Sequence, residues 1–133
     1  MILDTSAVIA ILAGEPEAAE LAALIQEAGN VRISAGTLIE ASLVCGPVRQ
    51  QALDDFIAEA QAEVVPVDEE QARLARGGHL RFGRGSGSPA RLDYGDCFSY
   101  ALARQADDAL LFIGDDFTHT DVRSARGEPT GGQ

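Results

Sequence analysis

The chain opens with MILDTSAVIAILAG, residues 1–14. MILDT is a short apolar, β-compatible run ending at a polar pair, as a buried strand feeding a loop does. SAVIAILAG then carries a helical pattern, so Asp4 stands where strand becomes helix. The same arrangement returns near the other end, where ALLFIG (109–114) is a strongly apolar strand that stops at Asp115 and Asp116. Two such units predict parallel strands whose carboxyl ends share one edge, the place where ligands gather in open α/β sheets.

The stretches between fit that scheme. EPEAAELAALIQEAG (15–29) predicts a second helix after a break at Gly14 and Pro16, and VRIS (31–34) a second strand. AGTLIEASLVCG (35–46) predicts a helix closed by Gly46 and Pro47. VRQQALDDFIAEAQA (48–62) predicts an amphipathic helix with Val48, Ala52, Phe56 and Ala60 on its apolar stripe. EVVPV (63–67) is a third strand, and DEEQARLARGGHL (68–80) a helix whose acids lead and whose arginines follow, as the helix dipole favours. RFGRGSGSPAR (81–91) reads as a flexible loop. In RLDYGDCFSYALARQ (91–105) a helix places Tyr94, Cys97, Phe98, Ala101, Leu102 and Gln105 on one stripe. Strands alternating with helices predict a parallel sheet covered on both faces.

At 133 residues and 46% hydrophobic content the chain can fill one core. One domain over 1–125 is expected, with a disordered tail over 126–133. The apolar opening lacks a basic leader and is interrupted by Asp4, so it does not read as a signal peptide. No run of about 18 uncharged apolar residues exists to span a membrane. These features predict a cytoplasmic protein. Cys45 and Cys97 match no metal spacing and are expected as buried, reduced thiols.

The net charge of −11 argues against a protein that coats nucleic acid. The charge is segregated, however. Between Gln71 and Leu92 there is no acid, and Arg73, Arg76, Arg81, Arg84 and Arg91 give that window +5 and leave −16 for the rest. Those arginines are candidates for RNA binding, against the simpler reading of a solvated loop. All ten basic residues are arginine, which codon bias also explains. His79 and His119 have no ligand spacing and are expected at the surface.

Each acid at a joint has an ordinary explanation. Asp4 fits a helix cap, Asp115 and Asp116 a turn, and Asp96 the first turn of a helix capped by Asp93. Glu40 is different, because its helix is apolar nearly all round and is expected to be buried. A buried carboxylate must neutralise, pair with an arginine or coordinate a cation. Taken together, the acids suit a cleft that holds divalent cations, since clustered carboxylates repel. All-oxygen ligation selects hard ions such as Mg²⁺ or Mn²⁺, and such a site hydrolyses phosphodiesters.

ILDTSAVIAIL, the glutamate of TLIEASLV, DYGDCFSYALA and LLFIGDDFTHTD occur in the order and spacing of PIN domains. Across residues 2–123 the chain resembles, more narrowly, the VapC toxins of bacterial VapBC toxin–antitoxin systems. The resemblance implies a three-layer α/β/α sandwich with a central parallel sheet, and a metal-dependent endoribonuclease that inhibits translation or growth. It implies Asp4, Glu40 and Asp96 as metal-site acids, with Asp4 and Asp96 as direct ligands and Ser6 ordering Asp4 or water. The fourth acid is Asp115 or Asp116, of which Asp116, directly before Phe117, is preferred. Mg²⁺ is the implied cofactor, with Mn²⁺ as a substitute. Implied partners are RNA, a cognate VapB-type antitoxin whose C-terminal segment brings an Arg or Lys to the acids, and a second toxin copy, with higher-order complexes of the pair. Val8, Ile9, Leu12, Leu21, Leu24 and Ile25 are candidates for the antitoxin and dimer surfaces, or for core.

Two alternatives compete with this reading. Receiver domains and haloacid-dehalogenase-type phosphatases also place an Asp after an apolar strand, but both need a lysine, and this chain has none. A catalytically degenerate PIN domain that binds RNA or protein is the non-enzymatic alternative, and intact acids argue against it.

Overall fold

The structure is a computed structural model that describes residues 1–127. From Glu128 onward the expected tail lies outside the described residues. Arg126, at the start of that expected tail, forks onto Glu20 at 3.1 and 3.2 Å.

Four short strands, β1 (Ile2–Leu3), β2 (Arg32–Ser34), β3 (Glu63–Val65) and β4 (Leu110–Leu111), form a parallel sheet in the order β3-β2-β1-β4. Ile2 pairs with Arg32 on one side and with Leu110 on the other. Six helices connect and cover the strands: α1 (Thr5–Leu12), α2 (Ala18–Glu27), α3 (Ala35–Cys45), α4 (Gln50–Ala60), α5 (Glu69–Phe82) and α6 (Tyr94–Ala106). Successive strand residues point to opposite faces. Leu3, Ile33 and Leu111 accordingly pack against Val8, Leu21, Ile25 and Leu53, whereas Ile2 and Leu110 pack against Leu92, Tyr100 and Leu102. Helices therefore flank a central sheet on both faces, in the three layers expected.

Several sequence expectations are corrected by this packing. The apolar side of α4 is Leu53, Phe56, Ile57 and Ala60; Ala52 is exposed, and Val48 sits in a preceding 3₁₀ turn (Pro47–Arg49) at 94% exposure. α4 begins at Gln50, two residues later than expected, and its covered face joins Leu53 and Ile57 to Phe56 and Ala60 at i, i+3 and i+4 spacing. On α6, Tyr94 is 80% exposed, while Ser99, Tyr100 and Ala103 are buried, because α6 is packed between α5, α3 and the sheet. α3 is not buried all round. It turns Gly36, Thr37 and Ala41 inward and leaves Ile39, Leu43 and Val44 exposed, since an all-apolar helix gives no periodic cue to which face is covered. The arginine segment is helical through Phe82, so the loop runs only from Gly83 to Leu92.

Of the α1 and α2 candidates, Val8, Leu21 and Ile25 are core, and Ile9, Leu12 and Leu24 are half-buried. Cys97 is buried and Cys45 half-buried, both as free thiols. Burial pushes the Cys97 thiol up to about 11. His79 and His119 are exposed.

Candidate active site

Asp4 ends β1 and caps α1. Its backbone N–H donates to Leu111 O at 3.0 Å, which locks the residue to the neighbouring β4. Four donors would satisfy a carboxylate, and Asp4 receives three: Ser6 N at 3.0 Å, Ser6 Oγ at 2.6 Å and Ser99 Oγ at 2.6 Å. Ser6 Oγ in turn accepts from Ile113 N at 3.1 Å, so one hydroxyl links Asp4 to the exit of β4. Ser99 lies beside Thr37 Oγ1 at 3.1 Å. Despite these bonds, burial holds the Asp4 carboxyl above its ordinary range.

Asp96 and Asp93 form a reciprocal capping box at the start of α6. Asp96 N donates to Asp93 Oδ1 and Asp93 N donates to Asp96 Oδ2, each at 3.0 Å. Capping and site membership, weighed as alternatives from the sequence, thus coexist in one side chain. Burial first, and then repulsion from Asp93, Asp4 and Asp116, push Asp96 up to about 8.

Glu40 reaches the same place from α3. Thr5 Oγ1 donates to its Oε1, and among the described residues no cation pairs with it. Burial, followed by repulsion from Asp4 and Asp93, raises its carboxyl. Its approach depends on Gly95, where a Cβ would lie 1.6 Å from Glu40 Oε2. Gly36 admits the Phe98 ring in the same way, with 2.3 Å from an added Cβ to Cδ1, and these two bare backbones let α3 and α6 close on each other.

Asp4, Glu40, Asp96 and Asp116 line one cavity of about 410 Å³ at the carboxyl edge of the sheet. Asp115 is not in its lining; its carbonyl accepts from Thr118 N at 3.2 Å in the following turn. Glu15 and Glu17, from the turn between α1 and α2, also line the cavity. Neither they nor Thr5, Gly95 and Ser99 were singled out from sequence. The glutamates resemble an ordinary acidic helix start, and the other three matter only through contacts across the chain.

The donor set fits a hard divalent cation. It is all-oxygen, and burial plus mutual repulsion hold the Asp4, Glu40 and Asp96 carboxyls toward the protonated form, an imbalance that a cation relieves. Among the described residues no three His, Cys, Asp or Glu side chains converge on one point. One or two direct carboxylates completed by water is the manner in which Mg²⁺ ordinarily binds. Asp4 and Asp96 are the members with the greatest burial.

A parallel sheet with acids gathered at its carboxyl edge, Asp4 and Asp96 buried, Glu40 half-buried and Asp116 exposed, defines a class, and the chain belongs to the PIN-domain family, whose pattern matches residues 1–123. The relatives narrow this to its VapC branch. Over 129 residues the chain is 50% identical to Ribonuclease VapC28 of Mycobacterium tuberculosis, covering 94% of this chain and 97% of that protein. It superimposes on a toxin–antitoxin complex from Klebsiella pneumoniae with a TM-score of 0.70 at 19% identity, covering 96% and 98% of the two chains. The M. tuberculosis toxin VapC20, described as cleaving the sarcin–ricin loop, superimposes with a TM-score of 0.67 at 19% identity over 92% and 98%.

Proposed function

We propose that this chain is the toxin of a toxin–antitoxin pair and acts as a metal-dependent endoribonuclease. The observation that carries the reading is the meeting of Asp4, Glu40, Asp96 and Asp116, from four separate segments, in one cavity without a neutralising side chain among the described residues. The 50% identity to a VapC ribonuclease supports it independently.

Asp4 and Asp96 hold Mg²⁺, or Mn²⁺ in its place, with Asp116 at the open side. The cation supplies Lewis acidity toward water and the phosphoryl oxygens. Ser6 and Ser99 fix the Asp4 carboxylate so that its geometry does not have to be found at the moment of reaction. Thr5 occupies Glu40 Oε1, which leaves Oε2 to orient the attacking water and accept its proton. Asp115, outside the cavity, is not included among the ligands.

RNA is the substrate, and Arg73, Arg76, Arg81, Arg84 and Arg91 form the basic segment that offsets the acidic cleft. Cleavage of RNA in the cytoplasm would inhibit translation or growth. A cognate VapB-type antitoxin silences the site by bringing an Arg or Lys to the acids, in keeping with the absence of such a cation here among the described residues. Ile39, Leu43, Val44 and Val48 are exposed together on α3 and its following turn, and suit a homodimer contact within a larger toxin–antitoxin assembly.

The deciding experiment is incubation of total bacterial RNA with the purified chain in Mg²⁺, Mn²⁺ or EDTA, beside Asp96→Asn. Discrete metal-dependent fragments absent with the variant are expected. Fragments that persist with Asp96→Asn would refute the assigned site.

A further inference from the structure

We propose that Arg84, Arg91 and Tyr94 form a track for single-stranded RNA leading to Asp96, with both guanidinium groups on backbone phosphates and the Tyr94 ring stacked on a base. This inference rests on the nuclease reading and adds which part of the substrate is held, where, and in what form.

The structure divides the five arginines of the acid-free segment. Arg73 pairs with Glu69 at 3.1 Å, and Arg81 pairs with Asp121 at 3.5 Å while lying 4.6 Å over the Phe82 ring. Arg84 and Arg91 have no carboxylate partner among the described residues. Both line an open cleft of about 680 Å³, together with Gly85, Gly87 and Ser88. Arg76 is exposed but does not line that cleft. An acid-free cleft with two uncommitted guanidinium groups, on a chain of net charge −11, is suited to phosphate oxygens.

The cleft is anchored at both ends. Leu92 N donates to Phe82 O at 2.8 Å and Arg84 N donates to Leu92 O at 3.1 Å, closing the loop as a parallel bridge. Ala90 and Leu92 are buried, and Arg91 between them adopts a left-handed backbone with φ of 57° that holds its side chain out of the core. Leu92 leads directly into Asp93, the cap of α6. The cleft is thereby fixed to the helix end that carries Asp96.

Tyr94 follows Arg91 by three residues and precedes Asp96 by two. It is 80% exposed on the first turn of α6, no more than about 11 Å of chain from Arg91. Its ring is braced in a T-shaped contact with Phe98, 5.1 Å between centroids at 83°, and Phe98 is itself seated on Gly36. An exposed aromatic with a braced orientation loses little entropy when a base stacks on it. Stacking requires an unpaired base, so the track selects single strands over duplex.

The test is binding without cleavage. A labelled single-stranded RNA of mixed sequence, about 12 nucleotides long, is titrated in EDTA across a series of salt concentrations, beside the same sequence as a duplex. The parent is compared with Tyr94→Ala, Tyr94→Phe and the pair Arg84→Gln and Arg91→Gln, the glutamines keeping the same left-handed backbone cost at position 91. All three residues are exposed, and matching thermal midpoints certify the folds. Tyr94→Ala is expected to weaken single-strand binding about tenfold and Tyr94→Phe to keep it. The double glutamine variant is expected to lower the slope of log affinity against log salt by about 1.4, for two phosphates. Equal binding of duplex and single strand, unchanged affinity in Tyr94→Ala, or an unchanged salt slope would overturn the track. A Tyr94→Ala variant altered only in self-association would do the same, assigning the ring to a protein interface. If instead binding follows these expectations while the parent never cleaves RNA with metal, the nuclease reading fails and the track stands.

Discussion

Ser99, in the middle of α6, donates its hydroxyl to Asp4 Oδ1 at 2.6 Å, joining two residues 95 positions apart at the centre of the acid site. The bond is fully buried, and Ser99 also touches Thr37. It lowers the Asp4 carboxyl against the rise that burial imposes.

Ser99→Ala should therefore act on stability and on metal binding together. Loss of a buried hydroxyl that serves two partners is expected to destabilise the fold by about 1–3 kcal/mol in urea titration. With one donor gone, Asp4 is more readily protonated, and Mg²⁺ affinity at neutral pH should fall. A variant with unchanged metal affinity would show that Ser6 alone orders Asp4.

Gly95→Ala should separate helix propensity from site geometry. Alanine is favoured over glycine in a helix by about 1 kcal/mol, yet its Cβ would occupy the position of the Glu40 carboxylate. Cleavage is expected to drop at least about tenfold, as a displaced reacting group requires. Combined with Glu40→Ala, the same change should cost no further activity, which a double-mutant cycle on cleavage rates measures.

Asp96→Asn should abolish cleavage and flatten the pH dependence of metal-free stability. The Asp96 carboxyl titrates near 8 in the fold and near its ordinary value when unfolded. The folded state binds the proton more tightly, so its contribution is fully present below about pH 4 and is lost as pH rises through about 8. Urea midpoints of the metal-free parent are expected to decline across that window. An asparagine carbonyl can still accept from Asp93 N, so the variant should retain its cap and show a shallower decline, the raised carboxyls of Asp4 and Glu40 keeping their own share.

Metal loading should release protons for the same reason. At pH 7 the Asp96 proton must leave before a cation can bind, so affinity rises with pH until about 8 and levels off above it. Calorimetric titration in two buffers of different ionisation enthalpy counts the protons. Zero release at pH 7 would overturn the coupling of metal binding to Asp96 deprotonation.

The adjacent aspartates should be unequal. Asp116 lines the cavity and repels Asp96, whereas Asp115 is outside. Asp116→Asn is expected to reduce metal-dependent cleavage about tenfold or more, in line with loss of a supporting ligand. Asp115→Asn should stay close to the parent in the same assay.

The layer order was legible because a buried strand leaves an unmistakable local record. ILD and ALLFIG are apolar runs stopped by acids, and the helices between them carry their own periodicity and breakers. Asp4, Asp96 and the pair Asp115 and Asp116 were accessible for that reason, since chain position alone places them at strand or helix ends, and the preference for Asp116 came from the family resemblance. Glu40 stood out through its apolar neighbours, although α3 in fact exposes half of them. An all-apolar helix signals that something covers it without saying which side.

What the amino-acid sequence by itself determined was the alternation of elements and the presence of acids at their joints, because both follow from interactions within a few residues, while the choice of site acids came from the family resemblance. Tertiary structure alone decided which acids face one another and what holds them. Ser99 beneath Asp4, Thr5 on Glu40, Gly95 making room for that carboxylate, and Glu15 and Glu17 on the cavity wall all depend on segments far apart in the chain, β1, α1, α3 and α6, brought together only by folding. Folding also sorted the arginines: Arg73 pairs with Glu69 within α5, tertiary packing brings Arg81 to Asp121, and Arg84 and Arg91 are left on an open cleft. Composition records how many charges a segment carries, but desolvation and pairing depend on distances that only the folded chain sets.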